Sequence, residues 1–249
     1  TYFSTMGCRT ANGWDINGFE QLKDGRGNIC PVTIILPTLA MEAKEYTIKN
    51  ATGEDLEGQT VAKFMSILDQ KLHEAKDMLI ERFEWICSQS PESAKFMWEN
   101  GTMAGYDGKD IRSALKHGTL AVGLLGMAET LQILIGEDQT CDNGLELAKK
   151  ICQLYKDRCD EFKHKYSLNF GVYFTPAENL CFTAMQRFKA KYGDIKNVSD
   201  KEFFTNSVHV PVWREVTPFE KIDIESQLDG YSSAGCIAYV ELDSTVKNN

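Results

Sequence analysis

Two short stretches near the start of the chain carry the residue types best suited to chemistry, Met6-Gly7-Cys8-Arg9-Thr10 and Asp24-Gly25-Arg26-Gly27-Asn28. A thiol on a flexible, polar segment beside an arginine is placed where a cation favours the thiolate. Radical chemistry at the same sulfur would not require that shift. On spacing alone the plainer reading of Cys8 is a loop cysteine without a role, and Gly25-Arg26-Gly27-Asn28 suits a tight turn ahead of a strand. A third stretch, Thr175-Pro176-Ala177-Glu178, puts Thr at a helix N-cap, Pro at the first helical position and Glu three residues after the cap, which is the pattern of a capping box. The amides at such a helix start suit phosphates. Glu178 competes for the same positive end, so a purely structural cap is the other reading. Asn206, Ser207 and His209 form a further polar group able to line a pocket, although a lone His more often serves structure.

These residues need elements to hold them. Residues 1–28 are polar, Gly-rich and irregular, and read as a long loop. Ile29–Leu36 is a short β-branched run that suits a buried strand, with Pro31 at its start or at a bulge. A helix follows from Pro37 to about Glu45. The clearest element is a helix from about Gln59 to Cys87, where Val61, Phe64, Leu68, Leu72, Ala75, Leu79, Phe83 and Ile86 recur every three or four residues. A second helix is expected over Leu120–Ile135, apolar nearly all round and therefore buried, with Gly123 and Gly126 allowing a close backbone approach. A third spans about Leu145 to Tyr166. Then come a strand at Leu168–Phe174, a helix from Pro176 to about Tyr192, a strand at Val208–Trp213, a short helix at Phe219–Gln227 and a strand at Cys236–Leu242. The alternation predicts an α/β architecture with largely parallel strands, in one contiguous domain over residues 1–249.

Composition narrows the partners. The 249 residues are 43% hydrophobic and 25% charged, as in an ordinary soluble domain. A net charge of -9 argues against a nucleic-acid-binding surface, which needs clustered Lys and Arg. The longest apolar run, Leu120–Ile135, is interrupted by Glu129 and Gln132, so no membrane span is expected. Eight cysteines are spread along the chain with no Cys-x-x-Cys pair, so no zinc or iron–sulfur site is expected in this segment. With no signal-peptide pattern, the thiols read as reduced and the compartment as cytoplasmic.

Several blocks, taken in order, resemble one family. Met6-Gly7-Cys8-Arg9-Thr10 and Gly25-Arg26-Gly27-Asn28 lead into an apolar strand and Leu36-Pro37-Thr38-Leu39-Ala40. Lys116-His117-Gly118-Thr119-Leu120-Ala121-Val122-Gly123 and Gly126-Met127-Ala128-Glu129 come next. Thr175-Pro176-Ala177-Glu178-Asn179-Leu180, Phe204-Thr205-Asn206-Ser207-Val208-His209-Val210-Pro211-Val212 and Ala238–Asp243 complete the set. Together they resemble the anaerobic (class III) ribonucleoside-triphosphate reductases, a glycyl-radical enzyme family. The resemblance implies a ten-stranded α/β barrel surrounding a finger loop with Cys8 at its tip. It also implies that Cys8 gives up a hydrogen atom to a glycyl radical, that its thiyl radical takes the 3′ hydrogen of the ribose, and that water then leaves C2′. Asn28 matches the asparagine associated with formate as reductant, and its amide can donate to formate or to a ribose hydroxyl. Thr175, Ala177, Glu178, Asn179 and His209 fall where the family binds substrate.

The resemblance further implies a ribonucleoside triphosphate substrate, a radical-SAM iron–sulfur activating enzyme as partner and a homodimer. The family's glycyl radical lies in an Arg-x-x-Gly-Tyr sequence. Gly105-Tyr106 and Gly230-Tyr231 are preceded instead by Thr102 and Gln227, so the radical glycine is expected outside this chain. The chain also opens without Met and contains no C-terminal Cys-x-x-Cys site. It is therefore expected to be an internal fragment, inactive alone. The competing readings are another glycyl-radical enzyme of the formate-lyase type, or a noncatalytic nucleotide-binding module of the same fold.

Overall fold

The computed structural model describes residues 9–29 and 31–240, and its centre is a three-stranded parallel sheet in the order β1-β2-β3. β1 is Val32–Ile35, β2 is Thr119–Leu125 and β3 is Asn169–Tyr173. β2 lies in the middle, with Thr33 opposite Gly123 on one side and Tyr173 opposite Gly123 on the other. Every residue of β2 is buried. A central parallel strand covered on both faces has no polar alternation, because neither face meets water.

This overturns the helix expected over Leu120–Ile135. The first part of that run is β2, and only Met127–Ile135 is helical (α5). Gly126, at φ 77°, makes the break in the left-handed region that favours glycine. The six residues Leu120–Leu125 before it carry no polar side chain and show no period, so nothing in their pattern separates a buried strand from a buried helix.

Two helices between β1 and β2 form an antiparallel pair on the sheet. α1 (Leu36–Asn50) starts with Pro37 in its first turn, and α2 (Leu56–Cys87) starts at Asp55, whose side chain accepts from the Gly58 amide at 2.8 Å. Phe64, Leu68, Leu72, Leu79 and Phe83 of α2 are fully buried, as the apolar stripe predicts. Each such side chain contributes roughly 2 kcal/mol by leaving water. Short helical turns α3 (Lys95–Glu99) and α4 (Arg112–Leu115) lead into β2. α6 (Asp142–Tyr166) buries Ile151, Cys152, Tyr155, Cys159 and Phe162. α7 (Glu178–Tyr192) and α8 (Pro218–Asp229) follow β3.

Two expected strands do not form. Val208–Trp213 is a run of turns, held in place because Gln139 Nε2 donates to the Val208 and His209 carbonyls. Residues 236–240 are likewise not a strand, and 241–242 lie outside the described residues. Just upstream, however, the Ala234 amide donates to Val172 O and the Phe174 amide to Gly235 O, so this segment runs along the free edge of β3. Among the described residues no helix is long and apolar enough to cross a membrane.

The irregular segment 9–28 is tied down along the sheet. The Ala11 amide donates to Ala234 O. Further along, buried Asp15 accepts from His117 Nδ1 (2.7 Å), Asn169 Nδ2 (2.7 Å) and the Asn17 and Phe19 amides (3.0 Å each). Phe19 stacks on His117 at 3.7 Å between ring centroids. Buried Arg26 donates to the carbonyls of His117, Gly13 and Leu22. Burial pushes the Asp15 carboxyl up, but the bonds from Asn169, His117 and the two amides outweigh it and hold it at about 2. A carboxylate depressed in the folded state stabilises above its unfolded pKa and loses that contribution as pH falls through the folded value. Asp15→Asn turns a donating NH2 towards groups that are themselves donors and is expected to cost about 3 kcal/mol at neutral pH. In urea unfolding the gap between parent and variant should persist above pH 4 and shrink towards pH 2; a gap independent of pH would contradict the assignment.

Candidate functional site

The carboxyl ends of parallel strands are where α/β sheets bind ligands, and most of the candidate residues collect at that end of β3. Arg9 lies there, only 1% exposed. Its Nη1 donates to Phe174 O (3.3 Å), Thr175 O (3.4 Å) and Asn206 Oδ1 (3.0 Å), and its guanidinium stands 5.1 Å from the centroid of the Tyr239 ring. Asn206 Nδ2 in turn donates to Pro176 O. Arg9 and Asn206 thereby fasten three separate segments together: residue 9 of the loop, residues 174–176 and residue 206. Gly235 permits this crowding, since a Cβ there would collide with Arg9 O.

Thr175 does not cap a helix. Its hydroxyl lies 3.0 Å from that of Thr33 across the sheet, in space left open by Gly123, where a Cβ would strike Thr175 Oγ1. α7 begins instead at Glu178 after Ala177, which has φ 48° and makes no side-chain cap. The first amides of α7 therefore have neither an intrahelical acceptor nor a capping side chain. Among the described residues the capping box is at Thr217-Pro218-Phe219-Glu220, a second copy of the Thr-Pro-x-Glu pattern, where Thr217 and Glu220 bond reciprocally at the start of α8. The two copies differ in what surrounds the threonine. Thr175 is buried against Thr33 and Gly123, whereas the Thr217 and Glu220 bonds are solvent-exposed.

A cavity of about 570 Å³ adjoins this group, within the size range of small-molecule pockets. Its polar and charged lining includes Glu178, Thr205, Asn206, His209, Arg214 and Lys221, with Phe182, Phe204 and Trp213 among its apolar walls. His209 is 8% exposed, and its Nδ1 lies 3.2 Å from Glu225 Oε1, outside hydrogen-bonding geometry. Glu225 is buried too. Burial raises its pKa, but His209, Lys221 and the Val210 amide outweigh that and hold it below the usual range. Asn179 is exposed and does not line the cavity. Ser207 is fully buried with φ 41° and does not line the cavity.

Asn28 is placed elsewhere. It bridges to Thr119, at the amino-terminal end of β2, whereas Thr175 packs on Gly123. Four residues of strand separate those levels, about 13 Å. Among the described residues the Asn28 Oδ1 is buried without a hydrogen-bond partner. Cys8 lies outside the described residues. The structure thus brings Thr175, Ala177, Glu178 and His209 to one end of the sheet and leaves Asn28 at the other.

Three participants were not singled out from the sequence: Arg9 as an anchor, Glu225 and Glu129. Glu129 is fully buried, with Oε1 accepting from the Thr205 hydroxyl at 2.6 Å and the Thr205 amide at 2.9 Å. Burial pushes its carboxyl up to about 7 against those bonds. An acid inside the apolar run Leu120–Ile135 was the available signal, because buried acids are rare unless bonded.

A family model for anaerobic ribonucleoside-triphosphate reductase matches residues 1–249. The chain is 30% identical over 249 residues to the anaerobic ribonucleoside-triphosphate reductase of Escherichia coli (strain K12), covering 97% of this chain and 33% of that protein. It is 30% identical to the enzyme of the same name from Enterobacteria phage T4, over 99% of this chain and 38% of that one. The chain therefore spans about a third of the length of the relatives it matches. Among solved structures, the anaerobic ribonucleotide reductase from Thermotoga maritima with glycerol in the active site superposes with a TM-score of 0.67 at 20% identity, covering 90% of this chain and 33% of that one. The same enzyme in complex with dATP and CTP gives 0.61 at 18% identity, over 89% and 33%. At that identity the likeness shows the fold, while the match along the whole sequence shows the family. This chain belongs to the anaerobic ribonucleoside-triphosphate reductase family.

Proposed function

We propose that these residues form the part of a ribonucleoside-triphosphate reductase that carries the reacting thiol and one wall of the substrate site. The reaction is reduction of a ribonucleoside triphosphate to its 2′-deoxy form through a thiyl radical at Cys8. The observation that carries the proposal is the buried Arg9. It fastens the residue next to Cys8 in sequence to the carboxyl end of β3, beside the cavity and the uncapped start of α7.

In this reading the substrate phosphates lie against the first amides of α7, with Thr175, Ala177, Glu178 and Asn179 around them, and the sugar turns towards Cys8. His209 borders the cavity as a polar contact. Apolar walls suit radical chemistry, because they keep water and competing hydrogen donors away from the reacting carbon. The three parallel strands belong to a ten-stranded barrel around the finger loop. Support for Asn28 as the formate contact comes from its motif alone, since its position is about 13 Å along β2 from Thr175.

A glycyl radical, when present, supplies the one-electron oxidising equivalent that Cys8 requires. Neither Gly105-Tyr106 nor Gly230-Tyr231 has an arginine three residues before its glycine, where the family's radical motif carries one. The radical site therefore falls on a glycine outside these residues, generated by a radical-SAM iron–sulfur activating enzyme. Homodimer formation and a cytoplasmic location complete the proposal.

Two variants test it in the protein as encoded. Under anaerobic conditions with activating enzyme and formate, Cys8→Ser is expected to lower deoxynucleotide formation by roughly 10³-fold or more while nucleotide binding is kept. A rate within tenfold of the parent, as roughly 1.4 kcal/mol of barrier, would refute the role of Cys8. Gly123→Ala should displace the Thr175 hydroxyl, cost about 1–3 kcal/mol of stability and weaken nucleotide binding. Unchanged affinity, measured calorimetrically, would remove Thr175 from the substrate site.

A further inference from the structure

Glu129 belongs to none of the polar groups that line the cavity, yet it grips the segment that does. Its Oε1 takes both the amide and the hydroxyl of Thr205. The start of α5 holds the same segment from beside it: the Gly126 amide donates to Thr205 O and the Met127 amide to Ser207 O, each at 3.1 Å. Four hydrogen bonds thus fix the residues on either side of Asn206, which is left to reach Arg9 and Pro176 O. Ser207 is held at φ 41° by the same clamp, a conformation that persists only where the surroundings over-determine it.

We propose that Glu129 is a positioning residue that, through Thr205 and Asn206, holds Arg9 and so the reactive end of the loop at the carboxyl edge of β3. The carboxyl accepts at Oε1 whether or not its second oxygen carries a proton, so the clamp does not depend on ionisation. Its effect on turnover rests on the function proposed above; its effect on Arg9 does not.

Limited proteolysis separates the two. Trypsin cuts after arginine only when the chain opens locally, and the rate follows the population of the open form. Arg26 is an internal control, because it is 3% exposed and bonded to His117, Gly13 and Leu22, outside the clamp. In Glu129→Ala, cleavage after Arg9 relative to cleavage after Arg26 should rise roughly tenfold, and in Glu129→Gln, which retains the Oε1 acceptor, it should stay within about twofold. An unchanged ratio in the alanine variant, or equal rises in both variants, would overturn the proposal. Should Glu129→Ala not fold, Thr205→Val removes only the hydroxyl bond and should raise the ratio roughly threefold; no rise would overturn it as well. In turnover, Glu129→Ala is expected to lower kcat with KM kept, and Glu129→Gln to restore it. If the full-length activated protein shows no turnover of nucleotides, the proposed function fails, while the cleavage ratio still decides the role of Glu129.

Discussion

The candidate site depends on a cation placed out of water. Moving a guanidinium into a protein interior is expensive unless its donors find acceptors. Among the described residues Arg9 meets three carbonyl-type oxygens and the face of one aromatic ring. Those acceptors belong to segments more than 160 residues away in sequence. One side chain therefore fixes where residue 9 of the loop lies, how the chain leaves β3 and where residue 206 stands. Two residues without a glycine's freedom, Ala177 and Ser207, sit in left-handed conformations within these same two segments. Strain of that kind collects where a site needs backbone placed against local preference.

A second polar network performs the corresponding task at the opposite end of the sheet. Asp15 draws together His117, Asn169 and its own turn, and Arg26 ties the loop to the residues just before β2. The loop is thus stretched along the sheet between two buried charged groups. Gly235 and Gly123 allow the close approaches that this requires. The segment has almost no regular structure, and side-chain-to-backbone bonds replace the missing ladder.

What the sequence revealed follows from how local each feature is. The stripe from Phe64 to Phe83 announces α2 because its period is a property of one helix face. β2 was misread because the centre of a parallel sheet erases the period that separates strand from helix. Thr175 and Thr217 share one local pattern but only Thr217 caps a helix. The difference lies in Thr33 and Gly123, distant in sequence from Thr175. The motifs around Cys8, Thr175 and Asn206 were legible as family signatures. The bonds that join them, through Arg9 and Glu129, were not, since no spacing encodes a contact between residues 9 and 206.

The site is held together most directly by the coupling between Arg9 and Asn206, which a double-mutant cycle in equilibrium unfolding measures. Arg9→Ala, Asn206→Ala and the double variant should show an interaction of about 1.5–3 kcal/mol, as for a hydrogen bond to a charged group. Additivity to within about 0.5 kcal/mol would mean that the two side chains act independently, and Arg9 would no longer be anchored through Asn206.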